Sequence, residues 1–327
     1  VVLTLLGIAL FGYFIYAVGF WEIWQGIVRF GFGGFALILT LYFGRVCVRA
    51  TAWKLAVHEP YHLRLRDTIP AVIIGEAMSS TIPLGILASG TSKAVAVRRR
   101  IPLVAGLSSV ATENLFYSLV TGLFLITGAV ILLKGYTVDA GLAWVLNLLI
   151  GVLVFLIALG ILMVIRQWHF ASSTCEWIYE KGKLRNWLEK GRHDVRRFED
   201  LIYGFYRHHP RRFVPIVVFE AAYHGLGVAE VWLILSRLSE AVPSFATAFV
   251  LESVSRLITI MFKLVPFLIG VDEAGAEFIG EAVAIGAGVG VTLAIIRKGR
   301  ILFWTAVGAL VILKRGLSIS ELLRKHH

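Results

Sequence analysis

The chain has 327 residues, of which 58% are hydrophobic (Ala, Val, Ile, Leu, Met, Phe, Trp, Tyr or Cys), and its mean hydropathy is +0.80. A soluble domain is about 45–50% apolar even when Gly is counted, so this composition excludes an ordinary soluble core. The net charge of +11 sits in short segments between apolar stretches, which reads as loops touching anionic headgroups and not as a nucleic-acid surface.

In chain order, the apolar run from Val1 to Phe20, ending at Trp21 and Trp24, reads as a first span with interfacial aromatics. The chain opens on Val-Val without Met, which reads as a trimmed start. A second span is expected from about Phe32 to Trp53, with Arg45 and Arg49 four apart on one face. Lys54 to Asp67 is a basic connection. Thr68 to Gly90 is apolar but interrupted by Glu76, Pro83, Gly85 and Gly90, a poor continuous helix and a good re-entrant segment. Lys93 and Arg98 to Arg100 follow, which sets that end on the cytoplasmic side.

Ile101 to Leu133 reads as a tilted span carrying Glu113 and Asn114, and Ala140 to Ile165 as an uncharged one. Between Arg166 and Arg212 lie eleven Lys/Arg and six Asp/Glu. Val195, Phe198, Leu201, Ile202 and Phe205 recur there at helical spacing, so residues 166–212 read as a cytoplasmic amphipathic basic segment on the inner membrane surface. Phe213 to Leu235 holds Glu220 and His224, and Phe245 to Leu264 holds Glu252 and Arg256; each pair is four apart. Val265 to Ala282 is a second interrupted segment, with Pro266, Gly270, Asp272, Glu273, Gly275 and Glu277. Ala282 to Ile296 and Ile301 to Leu313 flank a basic element, Arg297 to Arg300. Lys314, Arg315, Arg324 and Lys325 put the C-terminus in the cytoplasm.

The expected fold is therefore an all-α polytopic membrane protein: one transmembrane domain over 1–327, with about seven to nine spans and two re-entrant or discontinuous segments. The two interrupted segments suggest a weak internal repeat of the kind found in transporters, although the halves do not align residue by residue.

A charge at mid-bilayer costs about 2.5–3.5 kcal/mol on insertion scales, so the ionisable groups inside spans must face protein or water. Glu252 and Arg256 could simply neutralise one another, and Arg45 and Arg49 could snorkel to the neighbouring loop. Glu113 has no cation within a turn; it needs a partner on another helix or carries a proton. Asp272 and Glu273 lie in a Gly-rich break whose backbone could bind a ligand; a solvated loop at the membrane edge is the plainer reading. Lys93 could grip a lipid phosphate or only set topology. The candidate substrate-binding set is Glu113, Asp272, Glu273, Arg45, Arg49, Lys93, Glu252 and Arg256. Cys47 and Cys175 form neither a disulfide framework nor a zinc spacing. Phosphate-cradling, GxSxG and HExxH motifs are missing; no catalytic residue, cofactor or metal is expected.

The stretch Pro83 to Ala94 followed by Glu113, the stretch Pro266, Gly270 and Glu273-Ala274-Gly275, and the basic element Arg297 to Arg300 together resemble a known family. This is the flippase-type membrane domain of bacterial lysylphosphatidylglycerol synthases, that is, the multiple peptide resistance factor and its free-standing relatives. The family usually has Arg where Lys93 stands and an acid-arginine pair where Glu113-Asn114 stands. The resemblance implies a protein of the bacterial inner membrane that moves a phospholipid or isoprenoid-type lipid between leaflets, without the soluble aminoacyltransferase of two-part members. Membrane lipids are the expected substrate, with a homo-oligomer or a lipid-synthesis enzyme as possible partner. The alternatives are a membrane-embedded enzyme acting on a headgroup, with Glu113 or Asp272 as acid/base, and a scaffold for a lipid-synthesis enzyme.

Overall fold

The computed structural model describes residues 20–81, 85–181, 185–239, 243–262, 265, 268–283, 285 and 288–314. The expected first span up to residue 19, Pro83, Pro266 and the basic residues after Lys314 lie outside them. Among the described residues the fold is all-helical.

The first helix, α1 (Phe20–Leu55), is continuous except at Gly31, whose φ of 70° and ψ of 169° are open essentially to glycine alone. Then come α2 (Leu65–Thr81) and α3 (Gly85–Ala96), which pack on each other as a hairpin. α4 (Leu103–Gly135) is 33 residues long, about 50 Å at 1.5 Å per residue, and so exceeds the hydrocarbon thickness. α5 (Ala140–Arg166) is started by Asp139, whose carboxylate accepts from the Gly141 and Leu142 amides at 2.8 and 3.0 Å. Gln167, in the left-handed region, ends it.

α6 (Phe170–Glu180) and α7 (Arg185–His208) follow, then a 3-10 turn at Pro210–Arg212 and α8 (Phe213–Leu238). α9 (Phe245–Met261) is capped by the Ser244 hydroxyl, which accepts from the Thr247 amide at 3.0 Å. α10 (Val271–Ala282) and α11 (Val289–Lys314) complete the described chain.

α1 and α8 lie along one another at the centre. α2 packs on α1 and also on α11; α9 packs on α8 and also on α4. α3 contacts α4, as α10 contacts α11. The largest apolar cluster joins Ile38, Phe124, Val231, Leu235, Leu251 and Leu293, and so ties α1, α4, α8, α9 and α11 together. α5 rests on α4 and buries only Leu146. Among the described residues, four helical stretches are long and apolar enough to cross a membrane: Ile23–Leu55, Leu103–Gly135, Ala140–Arg166 and Pro210–Leu238.

One expectation differs from what is observed. Arg297 to Arg300 is not a basic connection before a final span, because it lies inside the continuous α11. The 166–212 segment is two helices and a 3-10 turn, and from its stripe Phe205 is buried against Ala52, Ala56, Phe116 and Ile216.

Candidate functional site

The charged side chains that composition cannot explain converge between α1 and the helices around it. Arg45 and Arg49 are one turn apart on α1, and neither snorkels: Arg45 is 1% exposed and the Arg49 side chain 11%. Each holds a different set of acids.

Arg49 donates from Nε to Glu113 at 3.0 Å, and through its other nitrogens to Glu76 at 3.2 Å and to the Asn114 side-chain oxygen at 3.4 Å. Glu113 is fully buried on α4, and Lys93 of α3 approaches its second oxygen at 3.6 Å. The Arg49 guanidinium also stacks 4.4 Å above the Tyr117 ring. The partner that Glu113 needs thus comes from two other helices.

Arg45 lies 3.5 Å from Glu230 of α8 and 3.5 Å from Glu252 of α9. Glu252 also accepts from Arg256 at 2.9 Å and from Arg297 of α11 at 2.6 Å; Glu230 accepts from Arg300 at 2.6 Å. Arg297 reaches Ser255 at 3.1 Å as well. Four guanidinium groups, of Arg45, Arg256, Arg297 and Arg300, therefore meet two carboxylates, of Glu230 and Glu252. Asp272, 7% exposed, adds its charge near Arg297. The Nε atoms of Arg45, Arg256 and Arg300 are buried with no acceptor among the described residues. Burial makes each pair strong, but only because nearly every charge has a partner.

Two tyrosines join the groups. Tyr223 lies 4.4 Å under Arg45 and 5.5 Å from Arg49, while Tyr42 donates to Glu76 at 3.5 Å and lies 4.4 Å under Arg300. α8 can approach because residue 227 is glycine: a Cβ there would stand 2.5 Å from a Glu252 oxygen and 3.2 Å from Arg45 Cζ.

Glu273 stands apart from both groups. It accepts from the Gly270 amide at 2.9 Å, its other oxygen is ion-paired with Lys298 at 2.5 Å, and Lys298 also donates to the Leu268 carbonyl at 3.4 Å. An acid three residues into a helix reaching back to the amide before it is a capping arrangement. It closes the turn into α10, where Gly270 has φ 81°.

Seven of the eight candidates from the sequence thus fall in or beside two linked groups: Arg49, Lys93 and Glu113 in one, Arg45, Glu252 and Arg256 in the other, with Asp272 at its edge. Sequence reasoning missed Glu230, Arg297 and Arg300 as site residues. Glu230 carried a usable signal, a second acid besides Glu220 in an apolar helix; Arg297 and Arg300 are three apart and share a helical face.

These features define a helical, membrane-embedded protein whose polar interior is built from paired charges on many helices. The chain matches the family described as "Lysylphosphatidylglycerol synthase TM region" over residues 1–308, and it belongs to that family. Membership links it to lipid handling of the flippase-like kind. No curated protein and no solved structure matches it.

Proposed function

We propose that the chain is a transporter without enzymatic activity that moves a phospholipid or isoprenoid-type lipid between leaflets, and that the charges around Arg45 and Arg49 receive the headgroup. The observation that carries this reading is the cluster of buried arginines and acids on helices of both halves of the chain. A merely structural bundle could place apolar residues at these positions at similar stability. An arginine fork that binds carboxylate also fits phosphate, so a headgroup phosphate can take the place of Glu230 or Glu252, and an ammonium that of Arg49 at Glu113. The acyl chains remain in lipid while the head exchanges partners.

The helix lengths support the transporter reading. α2 and α3 have 17 and 12 residues, and α9 and α10 also have 17 and 12; at 1.5 Å per residue these are about 26 and 18 Å, short of the roughly 30 Å of hydrocarbon. We read both pairs as re-entrant hairpins, related by a pseudo-twofold axis between α1 and α8. Their contacts are reciprocal, α2 with α11 as α9 with α4. The basic residues from Lys314 onward support a C-terminus on the cytoplasmic side of a bacterial inner membrane, and a second copy or a lipid-synthesis enzyme is the expected partner.

The test is a leaflet-accessibility assay in proteoliposomes across headgroup classes. Protein-dependent crossing of at least one class, reduced tenfold or more by Arg45→Gln or Arg297→Gln in folded protein, is expected. Equal crossing with and without protein for every class would remove the proposal.

A further inference from the structure

Glu220 takes no part in the pairs described above. It is fully buried on α8, and both of its oxygens lack a hydrogen-bond donor among the described residues, as does Glu113 Oε2. Its charged neighbours are Glu113 on α4, Arg49 on α1 and Lys93 on α3. Those two cations are already on Glu113, and Arg49 is also on Glu76.

The other elements packed on α8 offer nothing further. Arg45 of α1, Arg256 of α9 and Arg297 and Arg300 of α11 are held by Glu230 and Glu252. In the turn before α8, Arg212 is on Glu59 at 2.6 Å. On α8 itself, His224 meets the Thr121 hydroxyl at 3.0 Å and Tyr223 lies under the arginines; Tyr117 of α4 lies under Arg49. Around Glu220, then, three acids (Glu76, Glu113, Glu220) face two cations (Arg49, Lys93).

A carboxylate left without donors at this depth costs several kcal/mol, whereas a neutral carboxyl costs far less and can donate to a second carboxylate. We propose that Glu220 is a proton-binding site, its carboxyl taking up one proton and sharing it with Glu113. The proton arrives from water and returns to water; an O–H bond forms on the carboxylate and later breaks, with no other bond changed. Resting on the transport reading above, the site would couple proton binding to lipid movement: when an anionic headgroup draws Arg49 or Lys93 away, Glu113 loses its cation and keeps the shared proton instead.

The test is infrared difference spectroscopy of the full chain in lipid vesicles, from mildly acidic to mildly alkaline pH. The wild type should show a protonated-carboxyl C=O band that is lost on alkalinisation. Glu220→Gln should lack the band while unfolding at the wild-type temperature, since the amide mimics the protonated form. Glu113→Gln should keep the band but shift it. A band that persists in Glu220→Gln, or no such band in wild type at any pH, overturns the proposal. In the transport assay, crossing by wild type should change with pH and crossing by Glu220→Gln should not; a pH profile retained in Glu220→Gln overturns the coupling. Absence of any crossing in wild type would defeat the transport reading and leave the spectroscopic result standing.

Discussion

Gly227 limits how near a helix can come to a set of arginines. Alanine is favoured over glycine inside a helix by up to about 1 kcal/mol, so Gly227→Ala should stabilise α8 if nothing stood in its way. Something does: the new methyl would meet the Glu252 carboxylate, which three arginines hold from other directions. The substitution should therefore destabilise by about 1–3 kcal/mol, the usual cost of overpacking, seen as a lower unfolding temperature in detergent; Glu252→Asp, which withdraws the carboxylate, should recover part of it. An unfolding temperature at or above wild type would mean that α8 does not approach the arginines so closely. At this scale the sequence was informative wherever a pair repeats at four residues, as with Arg45 and Arg49 or Glu252 and Arg256. It was misleading at Arg297 and Arg300, because the intervening Lys298 and Gly299 give the look of a loop. Only the helix places Lys298 on another face, towards Glu273.

The docking of α7 is a matter of elements. His58, in the connection after α1, bonds the Leu201 carbonyl, and its Nδ1 is buried without a partner. Burial lowers the His58 pKa below the ordinary histidine value, opposed by the Leu201 bond and helped by His209 and Arg212; His209 is lowered too, by burial and then by Arg212. With α7 undocked, the imidazole protonates near pH 6.5. With α7 docked it protonates only at lower pH. As pH falls through about 6.5 the undocked state takes up protons first, so docking is fully present above that pH and weakens below it until the folded-state value is reached. Protection factors along α7, corrected for the intrinsic exchange rate at each pH, should fall on acidification of the wild type, and His58→Gln should remove much of that pH dependence. An α7 protection pattern insensitive to pH would contradict the role given to His58. The amphipathic stripe of α7 was legible in its spacing, but what it covers was not: the same pattern serves a lipid surface or the ends of α1, α4 and α8.

Four of the helices around the buried groups bring charges of opposite sign. α1 brings Arg45 and Arg49 where α8 brings Glu220 and Glu230; α4 brings Glu113 where α11 brings Arg297 and Arg300. Under the pseudo-twofold arrangement proposed above, α1 answers to α8 and α4 to α11 with complementary residues, a relation that a comparison by residue identity does not detect. The same logic turns the protein inside out relative to a soluble one, with charge at the centre and the most apolar helix outside. On α5, Val152, Phe155 and Leu156 are 46%, 64% and 53% exposed, a face that water would not tolerate and hydrocarbon would. A tryptophan placed there by Phe155→Trp should sit among acyl chains. In vesicles whose lipids carry bromine at mid-chain, that added emission should be strongly quenched, whereas the emission added by Phe205→Trp, fully buried against Ala52 and Ile216, should be quenched far less. Equal quenching of the two would mean that α5 is covered by protein in the membrane, and that an assembly, not lipid, meets its outer face.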